Sequence, residues 1–255
     1  MSAPANSLRM PAMAVLSGGL ATRLRPITET IPKSMVRVGG EPFVGHQLRL
    51  LAREGFDRVV LLCGFLGNQI QEYVGDGRRY GLDVQYSFDG DMLRGTGGAI
   101  RKALPLLGDR FMVMYGDSWC PTRYRSIWDF FSTCGKRGLM TVFENNHQWD
   151  KSNVEFANGT ILRYDKQMVT PAMRFIDYGI GAFQPSVFEA WDENAIFDLA
   201  KVQHGLVDQG QLAGFRVYER FYEIGSPAGL QETDALMQAM YPVERPVQGD
   251  APTPR

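Results

Sequence analysis

Short apolar runs alternate with segments of helical spacing through the first part of the chain. The apolar and β-branched runs predict buried strands at Met13–Leu16, Arg58–Cys63, Leu82–Ser87, Phe111–Tyr115 and Leu139–Glu144. The segments between them predict helices at Pro42–Arg53, Leu66–Val74, Thr96–Leu107 and Tyr124–Cys134. Because strands that alternate with helices form parallel crossover units, this half predicts an α/β fold with a doubly wound, mostly parallel sheet.

The pattern changes in the second half, where strands follow one another more directly. The turn dipeptide Asn158-Gly159 predicts a hairpin. The strands expected here are Val154–Phe156, Thr160–Tyr164, Arg174–Phe183 and Gln211–Glu219, and the helices are Val187–Trp191 and Leu230–Met240. We therefore expect one domain over 11–240, with an antiparallel subregion in a mixed sheet. The flanking segments 1–10 and 241–255 are polar and contain proline, so we expect them to be disordered.

Composition narrows the class of protein. The 27 basic and 28 acidic residues give a net charge of -1, without the basic excess typical of proteins that bind nucleic acid or membrane surfaces. The three cysteines are widely spaced and form neither a metal-ligand motif nor a disulfide framework. The chain shows no apolar stretch long enough to span a bilayer and no signal-peptide pattern. We expect a cytoplasmic protein with small-molecule partners.

The loop after the first strand, LSGGLATRLRP at 16–26, carries the strongest chemical signal. Gly18 and Gly19 lack Cβ atoms, so their backbone N–H groups can approach phosphate oxygens, and Arg23 and Lys33 add positive charge. The loop is neither a P-loop nor a dinucleotide-binding G-x-G-x-x-G motif. The alternative is a tight turn with solvated arginines. The residues expected to bind a nucleotide here are Leu16, Ser17, Gly18, Gly19, Thr22, Arg23 and Lys33.

This loop, followed by Pro32-Lys33-Ser34-Met35, resembles the signature of the sugar-1-phosphate nucleotidylyltransferases. The resemblance extends from Met13 to Leu236. It implies a Rossmann-like fold whose antiparallel subregion binds the sugar, and transfer of a nucleoside monophosphate from a nucleoside triphosphate to a sugar 1-phosphate. Ala21 stands where the family usually has glycine. Because alanine favours negative φ, we expect the loop to have a slightly different shape here.

Two carboxylates are candidate Mg²⁺ ligands. Asp117 follows a buried strand in the sequence FMVMYGD, and a carboxylate at the carboxyl end of a strand is well placed to bind a metal near phosphates. The resemblance implies a metal-binding aspartate at this position. Glu223, in the sequence YEIGSP, matches an aspartate of the family. The alternatives are a turn or cap role for Asp117 and a helix start at Ser226-Pro227 for the segment of Glu223.

The remaining candidates owe their roles mainly to the resemblance. It implies that the turn of Gly95, Thr96, Gly97 and Gly98 recognises the nucleobase, although glycines that need only positive φ are the alternative. It implies that Lys166 binds the sugar phosphate, and that Asn153, Asp177 and Gly179 lie at the sugar. Without the resemblance, Lys166 is a solvated lysine, Asn153 a turn residue and Asp177 a carboxylate at the rim of the sheet.

The expected chemistry is positioning and charge neutralisation by Arg23, Lys33, Lys166 and Mg²⁺ at Asp117. The segments GTGGAIRK, GDGRRYGL and IDYG resemble a bacterial subgroup with heptose-1-phosphate guanylyltransferases and N-acetylmuramate-1-phosphate uridylyltransferases. We expect GTP with D-glycero-D-manno-heptose 1-phosphate or mannose 1-phosphate. The alternatives are a uridylyltransferase of N-acetylmuramate or hexose 1-phosphate, a cytidylyltransferase of choline phosphate or a phosphonate, and a regulatory subunit that senses nucleotide sugars. Aromatic residues on surface helices favour a homodimer.

Overall fold

The computed structural model describes residues 9–241. Its strands are β1 Ala12–Ser17, β2 Arg37–Val38, β3 Glu41–Pro42, β4 Arg58–Cys63, β5 Asp83–Phe88, β6 Phe111–Tyr115, β7 Ser118–Trp119, β8 Gly138–Glu144, β9 Val154–Ala157, β10 Thr160–Tyr164, β11 Phe175–Phe183, β12 Leu212–Val217 and β13 Tyr222–Glu223. Its α-helices are α1 Phe43–Arg53, α2 Gly67–Val74, α3 Gly95–Leu107, α4 Tyr124–Thr133, α5 Ser186–Glu189, α6 Leu199–Asp208 and α7 Pro227–Met240. Short 3₁₀ turns lie at Thr22–Leu24, Ile27–Glu29, Lys33–Met35 and Arg78–Tyr80.

A mixed sheet with strand order β5-β4-β1-β6-β11-β8-β12-β10-β9 organises the chain. The first four strands in that order are parallel, whereas β11 runs antiparallel to β6 and to β8. Side chains of β1 alternate between two cores, with Met13 and Val15 in one and Ala12 and Ala14 in the other. Helices therefore cover both faces, and the predicted α/β fold with a mostly parallel central sheet is confirmed.

Most predicted elements lie within a residue or two of the observed ones. Asn158 and Gly159 both take positive φ, 49° and 77°, in the turn that joins β9 to β10. The features that were not predicted include α6 and two pairings of two-residue strands. One pairing joins the neighbours β2 and β3, and the other joins β7 to β13, which is far away in sequence.

The predicted disordered ends lie largely outside the described residues. Within them, Met10 is buried in the core, and the Tyr241 ring centroid lies 5.4 Å from that of His46. These two residues belong to the fold rather than to the predicted tails, because each has apolar neighbours to pack against. None of the helices in 9–241 is long and apolar enough to cross a membrane.

His46, on α1, is fully buried, and from its burial we predict that the stability of the protein depends on pH. Its Nε2 lies 2.8 Å from the Val38 carbonyl oxygen, and its Nδ1 lies 3.4 Å from Glu41 Oε1. Burial lowers the pKa of His46 below its usual value, an effect that outweighs the nearby carboxylate. The unfolded chain therefore binds a proton at a higher pH than the folded chain does.

We expect the free energy of unfolding to fall as the pH decreases through about 6.5, the ordinary histidine pKa, towards the lower pKa of folded His46. Urea unfolding at several pH values between 5 and 7.5 measures this slope. His46→Gln should flatten it, whereas His147→Gln, at an exposed position, controls for loss of an imidazole. An unchanged slope in His46→Gln would contradict the assignment of this pH dependence to His46.

Candidate functional site

The loop after β1 lies against the loop after β4. A Cβ at Gly64 would lie 2.5 Å from the Gly18 carbonyl oxygen, and one at Gly18 would lie 3.2 Å from the Gly64 nitrogen. The Phe65 N–H donates to the Gly18 carbonyl oxygen over 3.3 Å. A Cβ at Gly19 would meet nothing within 4 Å. Close backbone packing thus requires glycine at position 64 and leaves little room for a side chain at position 18, whereas Gly19 faces open space.

Ala21 contradicts the expectation drawn from its sequence. It has φ 49° and ψ 44°, the left-handed conformation that a glycine adopts more readily. Its carbonyl oxygen accepts hydrogen bonds from Thr28 Oγ1 at 2.8 Å and from the Leu24 N–H at 3.0 Å. These bonds hold the alanine in the left-handed region, so the negative φ expected for alanine was wrong.

Ala21→Gly is expected to stabilise the protein slightly. Left-handed alanine costs about 1–2 kcal/mol, and the extra freedom of an unfolded glycine offsets about 0.5–1 kcal/mol of the gain. The net change in the free energy of unfolding, measured with urea, should be an increase of about 0.5 kcal/mol. The matched control Ala52→Gly, inside α1, should lower it by about 1 kcal/mol. A clear loss of stability in Ala21→Gly would contradict the prediction that the left-handed backbone of Ala21 is strained.

Lys33 and Asp117 form an ion pair where β6 ends. Lys33 Nζ lies 2.7 Å from Asp117 Oδ2, and the two side chains are 17% and 32% exposed. Asp117 Oδ1 accepts a hydrogen bond from Ser118 Oγ at 3.1 Å. Gly116 lets the chain pass close to the end of β1, because a Cβ at this residue would lie 2.5 Å from the Leu16 carbonyl oxygen. The two residues, 84 positions apart, thus meet at the carboxyl ends of β1 and β6.

Glu223 lies on the strand that pairs with β7. Its register partner is Ser118, next to Asp117. Glu223 Oε1 accepts from Ser226 Oγ at 2.6 Å, and Oε2 accepts from the Gly225 N–H. Ser226 Oγ in turn accepts from the Gly229 N–H at 3.0 Å and caps α7. The helix start considered from sequence is therefore present, and Glu223 supports it.

Two cations lie beside the turn that follows Glu223. A Cβ at Gly225 would lie 3.1 Å from Lys33 Nζ and 3.2 Å from Arg23 Nη2. The glycine therefore leaves room for both cations beside the Glu223 carboxylate. Arg23 and Lys33 come from the first loops of the chain, and Glu223 comes from near its end. The structure brings together these three predicted residues with Asp117.

Asp117 and Glu223 are the candidate ligands of a magnesium ion. Residues 9–241 contain no cluster of three or more histidine, cysteine, aspartate or glutamate side chains arranged to hold a metal. Mg²⁺ commonly uses one or two carboxylates and takes its other ligands from water and substrate phosphates. Two carboxylates at neighbouring register positions fit that requirement, and protein donors reach both oxygens of each: Lys33 and Ser118 at Asp117, and Ser226 and Gly225 at Glu223.

Two cavities meet at Tyr115 and Asp117. The glycine-loop cavity has a volume of about 300 Å³ and contains the predicted residues Leu16, Ser17, Gly18, Gly19, Lys33, Gly95, Thr96 and Asp117 in its lining. The Lys166 cavity has a volume of about 700 Å³ and contains the predicted residues Arg23, Asp117, Asn153, Lys166, Asp177, Gly179 and Glu223. Asp117 therefore stands between two spaces that can each hold one small molecule.

Four predicted nucleotide-binding residues, Thr22, Arg23, Gly97 and Gly98, are not in the glycine-loop cavity lining, and Arg23 lines the Lys166 cavity instead. The N–H groups of Gly97 and Gly98 donate to the Phe197 carbonyl oxygen at 2.9 and 3.1 Å, so they are not free for a ligand. A Cβ at Gly97 would lie 2.4 Å from the Phe197 ring. These glycines let α3 pack against the segment before α6.

Lys166 lies over two tyrosines. Its Nζ is 5.3 Å from the Tyr115 ring centroid and 5.8 Å from that of Tyr164, and it donates to the Tyr115 hydroxyl at 3.4 Å. Both tyrosine hydroxyls donate to Asp177 Oδ2 at 3.4 Å. The Asp177 N–H donates to Asn153 Oδ1 at 3.0 Å. The predicted residues Lys166, Asp177 and Asn153 thus form one connected group.

Tyr115 is a site residue that the sequence did not reveal. It ends the apolar strand β6, where a tyrosine is unremarkable, and its position between the cavities depends on how strands pair. Burial raises the pKa of Tyr115 well above its usual value, so the phenol stays protonated and keeps donating to Asp177. A second unpredicted group lines the Lys166 cavity, where Arg220 Cζ lies 3.3 Å from the Trp149 ring centroid.

Comparisons with known proteins find related sequences over most of the chain. Residues 13–190 match the model of the nucleotidyl transferase family. The N-acetylmuramate alpha-1-phosphate uridylyltransferase of Neisseria meningitidis serogroup B is 29% identical over 231 residues, which are 88% of this chain and 97% of that protein. The mannose-1-phosphate guanylyltransferase catalytic subunit beta of Xenopus tropicalis is 25% identical over 84% of this chain, which spans only 61% of that protein.

Solved structures share the fold. The UDP-glucose pyrophosphorylase of Acinetobacter baumanii superimposes with a TM-score of 0.75 over 91% of this chain and 95% of that chain, at 15% sequence identity. Identity at this level demonstrates a common fold only.

Proposed function

This chain belongs to the nucleotidyl transferase family, and we propose that it transfers GMP from GTP to a heptose or mannose 1-phosphate. D-glycero-D-manno-heptose 1-phosphate is the preferred acceptor in this proposal, and pyrophosphate is the second product. One observation carries the two-substrate reaction: the cavities of the glycine loop and of Lys166 share Asp117 as a common wall. A transfer between two bound molecules needs such adjacent spaces.

The reaction is an in-line displacement at the α-phosphorus of the nucleotide. A phosphate oxygen of the sugar 1-phosphate forms the new O–P bond, the bond to the bridging oxygen of the β-phosphate breaks, and pyrophosphate leaves with that electron pair. Because the nucleophile is already an anion, the protein needs no general base. Its tasks are to align the two phosphates and to neutralise their charge.

The residues divide these tasks by position. Arg23 and Lys33, which converge at Gly225, neutralise the triphosphate and the departing pyrophosphate. Lys166 holds the phosphate of the acceptor. Magnesium, when bound at Asp117 with or without Glu223, supplies charge neutralisation on phosphate oxygens. The backbone of Gly18 and Gly19 lets the nucleotide approach the sheet closely.

A pyrophosphate-release assay with each nucleoside triphosphate against a panel of acceptors tests the proposal. Release with GTP and heptose or mannose 1-phosphate supports it. Release with UTP and N-acetylmuramate 1-phosphate would favour the alternative that the similarity to the Neisseria uridylyltransferase supports. Release only with CTP and choline phosphate or a phosphonate would indicate a cytidylyltransferase. The absence of release with every pair would favour a sensor of nucleotide sugars.

Tyr115→Phe tests how Lys166 is positioned. The variant keeps the ring under the ammonium group but loses the hydroxyl that joins Lys166 to Asp177. One such hydrogen bond contributes about 1 kcal/mol, so we expect KM for the sugar 1-phosphate to rise about fivefold while kcat changes little. Steady-state kinetics with each substrate varied in turn measures this. Tyr86→Phe, which removes a hydroxyl bonded to the Gly75 carbonyl oxygen, should leave both constants unchanged.

A further inference from the structure

A third cavity, which we call the arginine groove, lies beside the Lys166 cavity. Its volume is about 370 Å³, and it shares Arg23 with the Lys166 cavity but no lining residue with the glycine-loop cavity. The first loop and β2 form one side of the groove, and α7 forms the other. The lining residues are Arg23, Leu24, Arg25, Ile27, Arg37, Pro227, Leu230, Gln231 and Asp234. Arg23 therefore stands between the candidate active site and the groove.

The acidic residue of the groove is already occupied. Asp234 Oδ1 accepts a hydrogen bond from the Gly39 N–H at 2.7 Å, and Oδ2 accepts from Gln238 Nε2 at 2.7 Å. These bonds hold α7 against the turn that follows β2. Asp234 is the only acidic residue among the described residues that line the groove, so three arginines leave an excess of two positive charges.

The three arginines are free to bind a ligand. Within 9–241, neither Arg23, Arg25 nor Arg37 forms an ion pair, and the Arg25 guanidinium donates no hydrogen bond. Arg37 uses one nitrogen, Nη2, to donate to the Gly40 carbonyl oxygen. All three residues are exposed, so solvent and solutes reach their N–H groups. A cavity lined by an excess of one charge attracts ions of the opposite charge.

The lining indicates a compact anion that carries more than one phosphate group. A guanidinium group matches phosphate oxygens with two parallel hydrogen bonds. Pro227 belongs to the first turn of α7, where the helix dipole also favours negative charge. None of the described lining residues is aromatic, so a nucleobase finds no ring on which to stack. These features favour a small polyanion over a second nucleotide.

Resting on the proposed nucleotidyl transfer, we propose that the arginine groove binds inorganic pyrophosphate as a site separate from the reaction centre. Pyrophosphate is the product whose charge Arg23 neutralises, and Arg23 also lines the groove. Arg25 and Arg37 can therefore receive the anion when it leaves Lys33. Because the groove shares no residue with the glycine-loop cavity, a pyrophosphate can bind there while a nucleotide is bound.

Binding to the unmodified protein gives the first test. The protein is saturated with the nucleoside triphosphate that it binds most tightly, with equimolar Mg²⁺ and no acceptor, and then titrated calorimetrically with pyrophosphate. We expect one pyrophosphate to bind. Orthophosphate should bind about tenfold more weakly or less, because a single phosphate loses at least one hydrogen bond to a charged group. Failure of pyrophosphate to bind, or equal affinities for the two anions, would overturn the proposal.

Substitution of the two outer arginines gives the second test. Arg25→Gln and Arg37→Gln should each weaken pyrophosphate binding to the nucleotide-saturated protein about tenfold or more. The control Arg78→Gln removes an arginine that is 89% exposed in its side chain and lines none of the three cavities, so it should bind pyrophosphate normally. Unchanged pyrophosphate affinity in both groove variants would refute the proposal.

The affinity for the nucleoside triphosphate distinguishes a separate site from an extension of the nucleotide site. The groove variants should bind the triphosphate as the unmodified protein does. An equal loss of triphosphate and pyrophosphate affinity would show that Arg25 and Arg37 serve the bound nucleotide, which contradicts a separate site. If the variants do not fold, the comparison of pyrophosphate with orthophosphate on the unmodified protein still decides.

The reverse reaction connects the groove to the proposed function. With nucleotide sugar and pyrophosphate as substrates, Arg25→Gln should raise KM for pyrophosphate about tenfold and leave KM for the nucleotide sugar unchanged. The two proposals can fail separately. Pyrophosphate binding without turnover in either direction would defeat the transferase proposal and leave the groove as a pyrophosphate site. Turnover without pyrophosphate binding to the nucleotide-saturated protein would refute the groove alone.

Discussion

Asp117→Ala should lower turnover at least about a hundredfold with Mg²⁺ at saturation, the effect typical of losing a group that stabilises charge in the transition state. Asp117, together with Tyr115, lines both cavities, and it is the ion-pair partner of Lys33. Without it, Lys33 loses the contact that orients its ammonium group, and phosphate oxygens at the junction lose a metal ligand. Pyrophosphate release under saturating substrates measures the effect.

A matched control lies at the other end of β6. Asp109 is exposed and comes just before β6, whereas Asp117 comes just after it. Asp109→Ala should retain normal turnover. Near-normal turnover of Asp117→Ala would remove Asp117 from the catalytic group, and similar losses in both variants would indicate damage to the fold instead.

Lys33→Met should lower kcat about a hundredfold, because it removes a positive charge from a largely buried position beside the triphosphate. Methionine retains much of the length of the side chain, so packing changes little. Lys33→Arg should restore only part of the activity, since a planar guanidinium does not place its charge where the ammonium group lies. The single-turnover rate with both substrates bound measures the chemical step directly.

Lys136→Met controls for the loss of a lysine. Lys136 donates to the Gly210 carbonyl oxygen at 2.8 Å and lines neither cavity. Its variant should keep the wild-type rate. The Lys33→Met, Asp117→Ala double variant should lose less than the product of the two single losses, because the residues act as a pair. Fully multiplicative losses would contradict that pairing.

The sequence predicted the sheet well because its signals are local. Apolar runs such as Arg58–Cys63 and Phe111–Tyr115 are buried on both faces. The dipeptide Asn158-Gly159 is typical of tight turns, and both residues take positive φ here. Loop charge and strand-end position indicated Lys33 and Asp117, and the family resemblance added Lys166; the structure places all three around the two cavities. Their roles in the reaction remain predictions.

Other features of the site depend on contacts between distant segments. Tyr115 and Asp89 follow ordinary apolar strands, and only the order β5-β4-β1-β6 places them at one cavity. The resemblance implied that Gly97 and Gly98 contact the nucleobase, yet in the structure their lack of side chains lets the segment around Phe197 pack against α3. Ala21 keeps a left-handed backbone because Thr28, seven residues later, holds its carbonyl oxygen.

Segments from the beginning and the end of the described chain contact each other, and these contacts have a consequence for folding during translation. Gly39 donates its N–H to Asp234 Oδ1 on α7 at 2.7 Å, and a Cβ at Gly39 would lie 2.7 Å from that of Met237. Glu223, meanwhile, reaches the cations of the first loops. Because chains emerge from the ribosome amino terminus first, the parallel strands can assemble while α7 is still inside the exit tunnel. The newborn polypeptide therefore acquires its charged centre only after the segment of Glu223 and α7 has left the tunnel.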